Sequence, residues 1–229
     1  MLDILSTYWP QFLVGMYPNG PLGGLALTLV IAVLGLACSL PLALLIALAR
    51  VSPLRVLSLA AAGLVSVVRG MPLLMLIFWA YFVVPKLTGG SVSGFTTLVC
   101  ALVIYEAAYL SEVIRSGIEA IPPGQIEASR SLGGGYWTTM RRVVLPQALL
   151  NVLPSMTSQF VSTIKETSLG YVISVNELTF AANQVNNMVL TQPLQVFGIL
   201  AIIYFVVCFT LSRSLHWLDT RVRRNRAMA

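Results

Sequence analysis

An all-α integral membrane fold with five transmembrane helices, N-terminus outside and C-terminus cytoplasmic, is what this sequence predicts. Three observations carry the prediction. Of the 229 residues, 57% are hydrophobic and only 10% charged, where a soluble domain carries about 25% charged residues. Apolar stretches long enough to span a bilayer recur, separated by polar or Gly/Pro-rich breaks. The basic residues gather at alternate breaks, which sets an orientation.

The elements follow in order. Residues 1–21 hold Tyr8, Trp9, Phe12, Tyr17 and two prolines, with Asp3 the only charge, a mixture suited to the bilayer interface. They lack the basic start of a signal peptide, and the apolar run that follows is too long for one. Leu22 to Ala49 is free of charge, long enough to cross with tilt, and should kink at Pro41. A second span, about Val56 to Val84, is interrupted by Arg69-Gly70-Met71-Pro72, a sequence tolerated in a membrane only where it faces protein or water. A third, about Phe95 to Ile114, carries Glu106 and Glu112, the latter expected to form a surface i,i+3 pair with Arg115. For Glu106, pairing inside the bundle is the favoured reading.

A long polar segment, about 116–146, separates this span from the next, and Gln125-Ile126-Glu127-Ala128 restarts a short helix within it that ends at Gly133-Gly134-Gly135. The fourth span, about Val143 to Ile173, is the most polar and includes Gln159, Lys165, Glu166, Thr167 and Ser168. A polar loop through Asn176, Glu177, Asn183, Gln184, Asn186, Asn187 and Gln192 leads to a fifth span, about Leu194 to Leu215. The domain reading is therefore an interfacial segment 1–21, a membrane domain 22–217 and a basic cytoplasmic tail 218–229. Cys38, Cys100 and Cys208 lie in apolar runs and read as small buried hydrophobes.

Orientation follows from the 14 Lys and Arg residues. With the N-terminus outside, Arg50, Arg55, Arg115, Arg130, Arg141, Arg142, Arg213, Arg221, Arg223, Arg224 and Arg226 all fall on the cytoplasmic side, whereas Lys86 alone falls in an outer loop. The net charge of +6 is thus an orientation and lipid signal, and nucleic acid is not expected as a partner. No phosphate loop, HExxH or paired CxxC occurs, and the single histidine, His216, argues against a Ser-His nucleophile. No catalytic residue, metal site or cofactor is expected in this chain.

The polar segment carries the most specific signal. From Glu127 it reads Glu-Ala-Ser, three residues, Gly133, nine residues, Val143, one residue, then Leu145-Pro146. This resembles the EAA loop of the permease subunits of bacterial ABC importers, with Ser129 in place of alanine and Val143 in place of isoleucine. Arg69-Gly70-Met71-Pro72-Leu73-Leu74, Tyr109 to Gly117, Pro123-Gly124-Gln125, Leu145-Pro146-Gln147-Ala148 and Lys165-Glu166-Thr167-Ser168-Leu169 are similar to the polar amino-acid uptake subfamily (the histidine, glutamine, glutamate and arginine systems).

The resemblance implies a multi-pass protein of the bacterial inner membrane that moves a polar amino acid by alternating access. Its partners would be a separate ATPase in two copies, which binds ATP and Mg, a second permease subunit, identical or paralogous, and an extracellular or periplasmic substrate-binding protein. The short helix would be the coupling helix, with Glu127, Ala128, Ser129, Arg130 and Gly133 meeting the ATPase. An amino-acid substrate needs a cation for its carboxylate and an anion or hydroxyl for its amine. Arg69, Met71, Lys165, Glu166, Thr167 and Ser168 are the candidates along its path, with Lys165 to Ser168 expected in the outer half of the fourth span. The competing reading is an ion-coupled secondary transporter or passive pore for a small polar solute. A pure scaffold is a third.

Overall fold

A computed structural model describes residues 1–227. The described residues form helices and no strand. In order they are α1 (Leu2–Val14), α2 (Gly24–Arg50), α3 (Arg55–Gly70) and α4 (Leu73–Phe78), which passes through a wide π turn at Trp79–Val83 into α5 (Val84–Thr88). Then come α6 (Gly94–Glu119), α7 (Pro123–Ser131) and α8 (Tyr136–Thr139), joined by a second π turn, Met140–Val144, to α9 (Leu145–Asn151). The chain ends with α10 (Leu153–Glu166) and its 3-10 extension Thr167–Ile173, α11 (Leu178–Val189) and α12 (Pro193–Ala227). Helix is the expected outcome in lipid, where backbone N–H and C=O groups must find partners within their own segment.

Three helices are long and apolar enough to cross a membrane: Gly24–Arg50, Gly94–Glu119 and Pro193–Arg221. A fourth crossing is available if Arg55–Gly70 and Leu73–Leu87, which meet at a 100° bend, are taken as one broken span. The bend has a local cause. Met71 precedes Pro72, which disfavours helical backbone at Met71, and its φ of −102° and ψ of 140° are extended. The stretch 143–173, read from sequence as one span, is divided among α9, α10 and the 3-10 turn.

The bundle is organised on α2 and α6. They run in the same direction, Gly35 facing Leu102 and Arg50 facing Glu112. The buried face of α2 is Thr28, Ile31, Ala32, Gly35, Ser39, Ala43 and Ala47, mostly small residues that let helix backbones approach closely where lipid supplies no hydrophobic drive. Ala43, Ala47, Leu110, Ile114 and Ile118 extend this contact to Met140, Val144 and Ala148. Towards the other end Ile31, Leu98 and Leu102 pack with Leu73, Ile77 and Ile173. Ile4 and Phe12 of α1 form a separate cluster with Leu178, Ala182, Val185, Val196 and Ile199.

Three local expectations need correction. Residues 176–192 are not an open loop, because α11 occupies most of them. Leu178, Ala181, Ala182 and Val185 form its buried stripe, and Glu177 caps it by accepting from the Thr179 and Phe180 amides, each at 2.9 Å. Cys38 and Cys100 are exposed on this chain and Cys208 is half-buried, so the first two face lipid or a neighbour. The segment after the third predicted span does not begin as a loop at Ser116, since α6 continues to Glu119.

At the crossing of α6 and α9 a Cβ on Gly117 would lie 2.5 Å from Val152 Cγ1 and 3.0 Å from the Ala148 carbonyl oxygen. Gly117→Val therefore forces these helices apart and should cost about 1–3 kcal/mol. The check is the thermal unfolding midpoint of the purified protein in detergent; an unchanged midpoint would contradict this packing.

Candidate functional site

The helix α7 stands at the end of the bundle where the basic residues collect. Pro122 and Pro123 start it, the fixed φ of proline suiting a first turn, and none of its residues is buried. Ile126 reaches back against the cluster that includes Ile118, Ile121 and Met140. Glu127, Ala128 and Arg130 are exposed and Ser129 is half-buried. The helix stops at Gly133, whose φ of +84° suits glycine alone among common residues. The Gly133 amide donates to the Arg130 carbonyl at 2.9 Å, and the Gly134 amide to the Ser129 carbonyl at 3.0 Å. A Cβ on Gly134 would meet that carbonyl at 2.7 Å. Ser129 Oγ and Thr139 Oγ1 share a hydrogen bond at 2.9 Å, tying α7 to α8. Tyr136 donates to the Val51 carbonyl at 3.3 Å, and burial pushes its phenol up, so the donor stays protonated. The result is an exposed polar wedge on a braced mount. Arg141 and Arg142 are exposed within the π turn.

Above this wedge Glu112 is the centre of a charge cluster. Arg115 donates to it through Nη2 at 2.6 Å and Nε at 3.3 Å. Arg50 of α2 pairs with the same carboxylate, and Arg69 Nη1 lies 3.8 Å away. The predicted Glu112–Arg115 pair is present, but it is part of an inter-helix network. Arg69 also stacks on Tyr109, its Cζ 5.1 Å from the ring centroid. So the arginine that looked anomalous in the second span is held by α6.

The remaining path candidates separate. Glu166 has its Oε2 buried without a hydrogen-bond partner, and the same is true of Oε2 of the fully buried Glu106. The two carboxyl groups are in contact. Thr163 donates to Glu106 Oε1 at 2.7 Å, so Glu106 is paired to a hydroxyl rather than to a cation. The Tyr105 hydroxyl, which donates to that of Tyr109 at 3.2 Å, borders the carboxyl pair. Arg69, the two tyrosines and the two carboxyl groups thus form one polar chain through the bundle. Lys165 is exposed on α10, near Cys208, which lies fifteen residues into α12, about 22 Å along its axis. Thr167 is buried and donates to the Ile164 carbonyl at 2.8 Å, while Ser168 donates to that of Lys165 at 2.6 Å. Met71 is half-buried at the break. Among the described residues no group of His, Cys, Asp and Glu could hold a metal ion.

Residues 39–224 match the family described as "Binding-protein-dependent transport system inner membrane component". The chain belongs to this family. It is a permease subunit of the ABC importer type, a transport component and not an enzyme. Over 222 residues it is 35% identical to the probable glutamine ABC transporter permease protein GlnP of Bacillus subtilis (strain 168), covering 96% of this chain and 99% of that one. It is 34% identical over 208 residues to the inner membrane amino-acid ABC transporter permease protein YhdY of Escherichia coli (strain K12). That match covers 89% of this chain and spans 57% of YhdY's length. A solved structure described as an amino acid ABC transporter with histidines superposes with a TM-score of 0.84 at 34% identity, covering 96% of this chain and 99% of that one.

Two features of the permease were not found from sequence. Glu106 was set aside as structural, and its contact with Glu166 joins residues sixty positions apart. Leu132 and Trp137, 90% and 69% exposed beside the wedge, carry a signal that could have been noticed: large apolar residues inside an otherwise polar loop.

Gly133→Val should strain the helix stop by about 1 kcal/mol or more. Amide hydrogen exchange across 123–134 of the purified permease should then accelerate, with 94–119 unchanged. Equal exchange in this segment would contradict the role assigned to the positive φ.

Proposed function

We propose that this chain is the membrane half of an ATP-driven importer for a polar amino acid, and that α7 is where the energy enters. The observation that carries this is α7 itself: an exposed helix, stopped by a glycine and braced from behind, holding the Glu127-Ala128-Ser129 sequence. A separate ATPase, present in two copies and holding ATP and Mg, receives Glu127, Ala128, Ser129, Arg130 and Gly133, with Leu132 and Trp137 as apolar anchors. The topology that fits is five crossings in the inner membrane. The first 21 residues lie at the outer interface, 22–217 form the membrane domain, and the wedge and the tail 218–229 lie in the cytoplasm; residues 228 and 229 of that tail lie outside the described residues. A second permease subunit completes the path, and an external binding protein delivers the substrate.

The paired carboxyl groups of Glu106 and Glu166 give the amino-acid reading its chemistry. Two carboxylates in contact repel each other once both are ionised, and a substrate ammonium supplies the cation that offsets this. The exposed Lys165 is the cation available for the carboxylate, because Arg69 is already engaged by Glu112 and Tyr109. Thr167 and Ser168, whose hydroxyls serve their own helix, and Met71 at the bend shape the passage. Closure of the ATPase pair moves α7, and the charge cluster passes that movement from α6 to α2 and α3.

Two measurements test the two ends. Gly133→Asp adds a charge and a side chain where the wedge needs a bare turn, and should abolish co-purification of the ATPase while the permease still inserts. Glu166→Gln should lower ATP-dependent uptake of amino acid in proteoliposomes by about tenfold, the loss of one charge-assisted hydrogen bond, with ATPase association intact. Normal co-purification in the first case, or wild-type uptake in the second, would refute the assignment concerned.

A further inference from the structure

The mount behind α7 is undercut. A cleft of about 580 Å³ runs between α7, the end of α6 and the turn that follows α2. Ile118, Ile121 and Met140, each no more than 7% exposed, form its floor together with the half-buried Val51, Ile126 and Tyr136. Its rim is charged, with Glu119 from α6 and Glu127 and Arg130 from α7. Pro123, Ile126, Glu127 and Arg130 recur at i, i+3, i+4 and i+7, so one face of α7 forms a wall of the cleft.

This floor lies beyond the layer of charge around Glu112. Ile118 is six residues further along α6, about 9 Å past that carboxylate, which sets the floor on the water side of Arg50, Arg69 and Arg115. An apolar hollow open to water with a few convergent polar groups is how small-molecule sites are built. The rim defines the ligand. Glu119 is already paired with Arg115. The Glu127 carboxylate and the Arg130 guanidinium have no hydrogen-bond or ionic partner among the described residues, although they stand three residues apart on one helix face, close enough to pair. A lone anion on this rim would be repelled by Glu127, and a lone cation by Arg130. A zwitterion satisfies both.

We propose that this cleft binds a free α-amino acid with an aliphatic side chain. The ammonium donates to Glu127, the carboxylate accepts from Arg130, and the side chain enters the hollow over Ile118, Ile121 and Met140. The class differs from the polar amino acid proposed for the membrane path, so ligand choice separates the two sites. Glu127 and Arg130 are shared with the proposed ATPase contact; binding to the permease alone does not depend on that contact and stands or falls separately from it.

The experiment is isothermal titration calorimetry of the purified permease in detergent with three probes: L-leucine, L-leucinamide, which lacks the carboxylate, and 4-methylpentanoate, which lacks the amine. Leucine should bind at least tenfold more tightly than either analogue, each of which loses one charge-assisted hydrogen bond. Arg130→Gln should weaken leucine by about tenfold and leave leucinamide unchanged. Glu127→Gln should weaken leucine by about as much and leave 4-methylpentanoate unchanged. Arg141→Gln, an exposed position that does not line the cleft, should bind leucine as the wild type does. Absence of leucine binding to the wild type overturns the proposal. So do equal affinities for leucine and its two analogues, or wild-type leucine binding in either Arg130→Gln or Glu127→Gln.

Discussion

Close approach of α2 and α6 is the constraint on which the structure rests. In lipid, apolar side chains gain nothing by leaving solvent, so packing must come from fit and from satisfied polar groups. The stripe of Thr28, Ala32, Gly35, Ser39, Ala43 and Ala47 on α2 meets Leu98, Ala101, Leu102, Ala107 and Leu110 on α6. At its middle Gly35 faces Leu102. Both ends of the seam do further work. Near the start of α2, Thr28 Oγ1 accepts from the Leu178 amide at 3.1 Å, fixing α11. At the far end the Arg50–Glu112 pair closes the contact and brings in Arg69 and Arg115.

This seam explains how the chain carries charges at membrane depth. Arg69 would be costly facing lipid, yet the 100° bend after Gly70 points the end of α3 at α6, where a carboxylate and an aromatic face receive it. Arg69 sits in the last turn of α3, and the packing of α3 on α6 holds its guanidinium beside Glu112 and Tyr109. The same logic leaves Glu106 and Glu166 as the exception. Glu106 is fully buried and Glu166 half-buried, and their carboxyl groups meet each other rather than a cation.

The wedge combines local backbone features with support from distant residues. Its boundaries come from residues with special backbone chemistry: proline at the start, a positive φ at Gly133 and a side-chain-free contact at Gly134. Its rigidity comes from elsewhere, through Ser129 to Thr139, Tyr136 to Val51 and Ile126 to the core. A helix of nine residues has little stability of its own in water, so the mount matters as much as the motif.

Much of this was legible in the residues. Span-length apolar runs, the distribution of arginines and the spacing from Glu127 to Pro146 pointed to a membrane permease with a short exposed helix in its polar segment, because each is written in consecutive positions. The stripe of α11 was hidden because asparagines and a glutamine interrupt Leu178, Ala181, Ala182 and Val185, and average polarity outweighed the i,i+3,i+4,i+7 pattern. Exposure of Cys38 and Cys100 was missed for a related reason: in a membrane protein an apolar position can face lipid as well as core. The sequence alone determined that the chain is helical, belongs in a bilayer and carries the wedge. Tertiary structure decided which helices share the seam, that Arg69 turns to Glu112, and that Glu106 meets Glu166. Those outcomes depend on packing between segments far apart in the chain, where no periodicity or motif links one residue to the other.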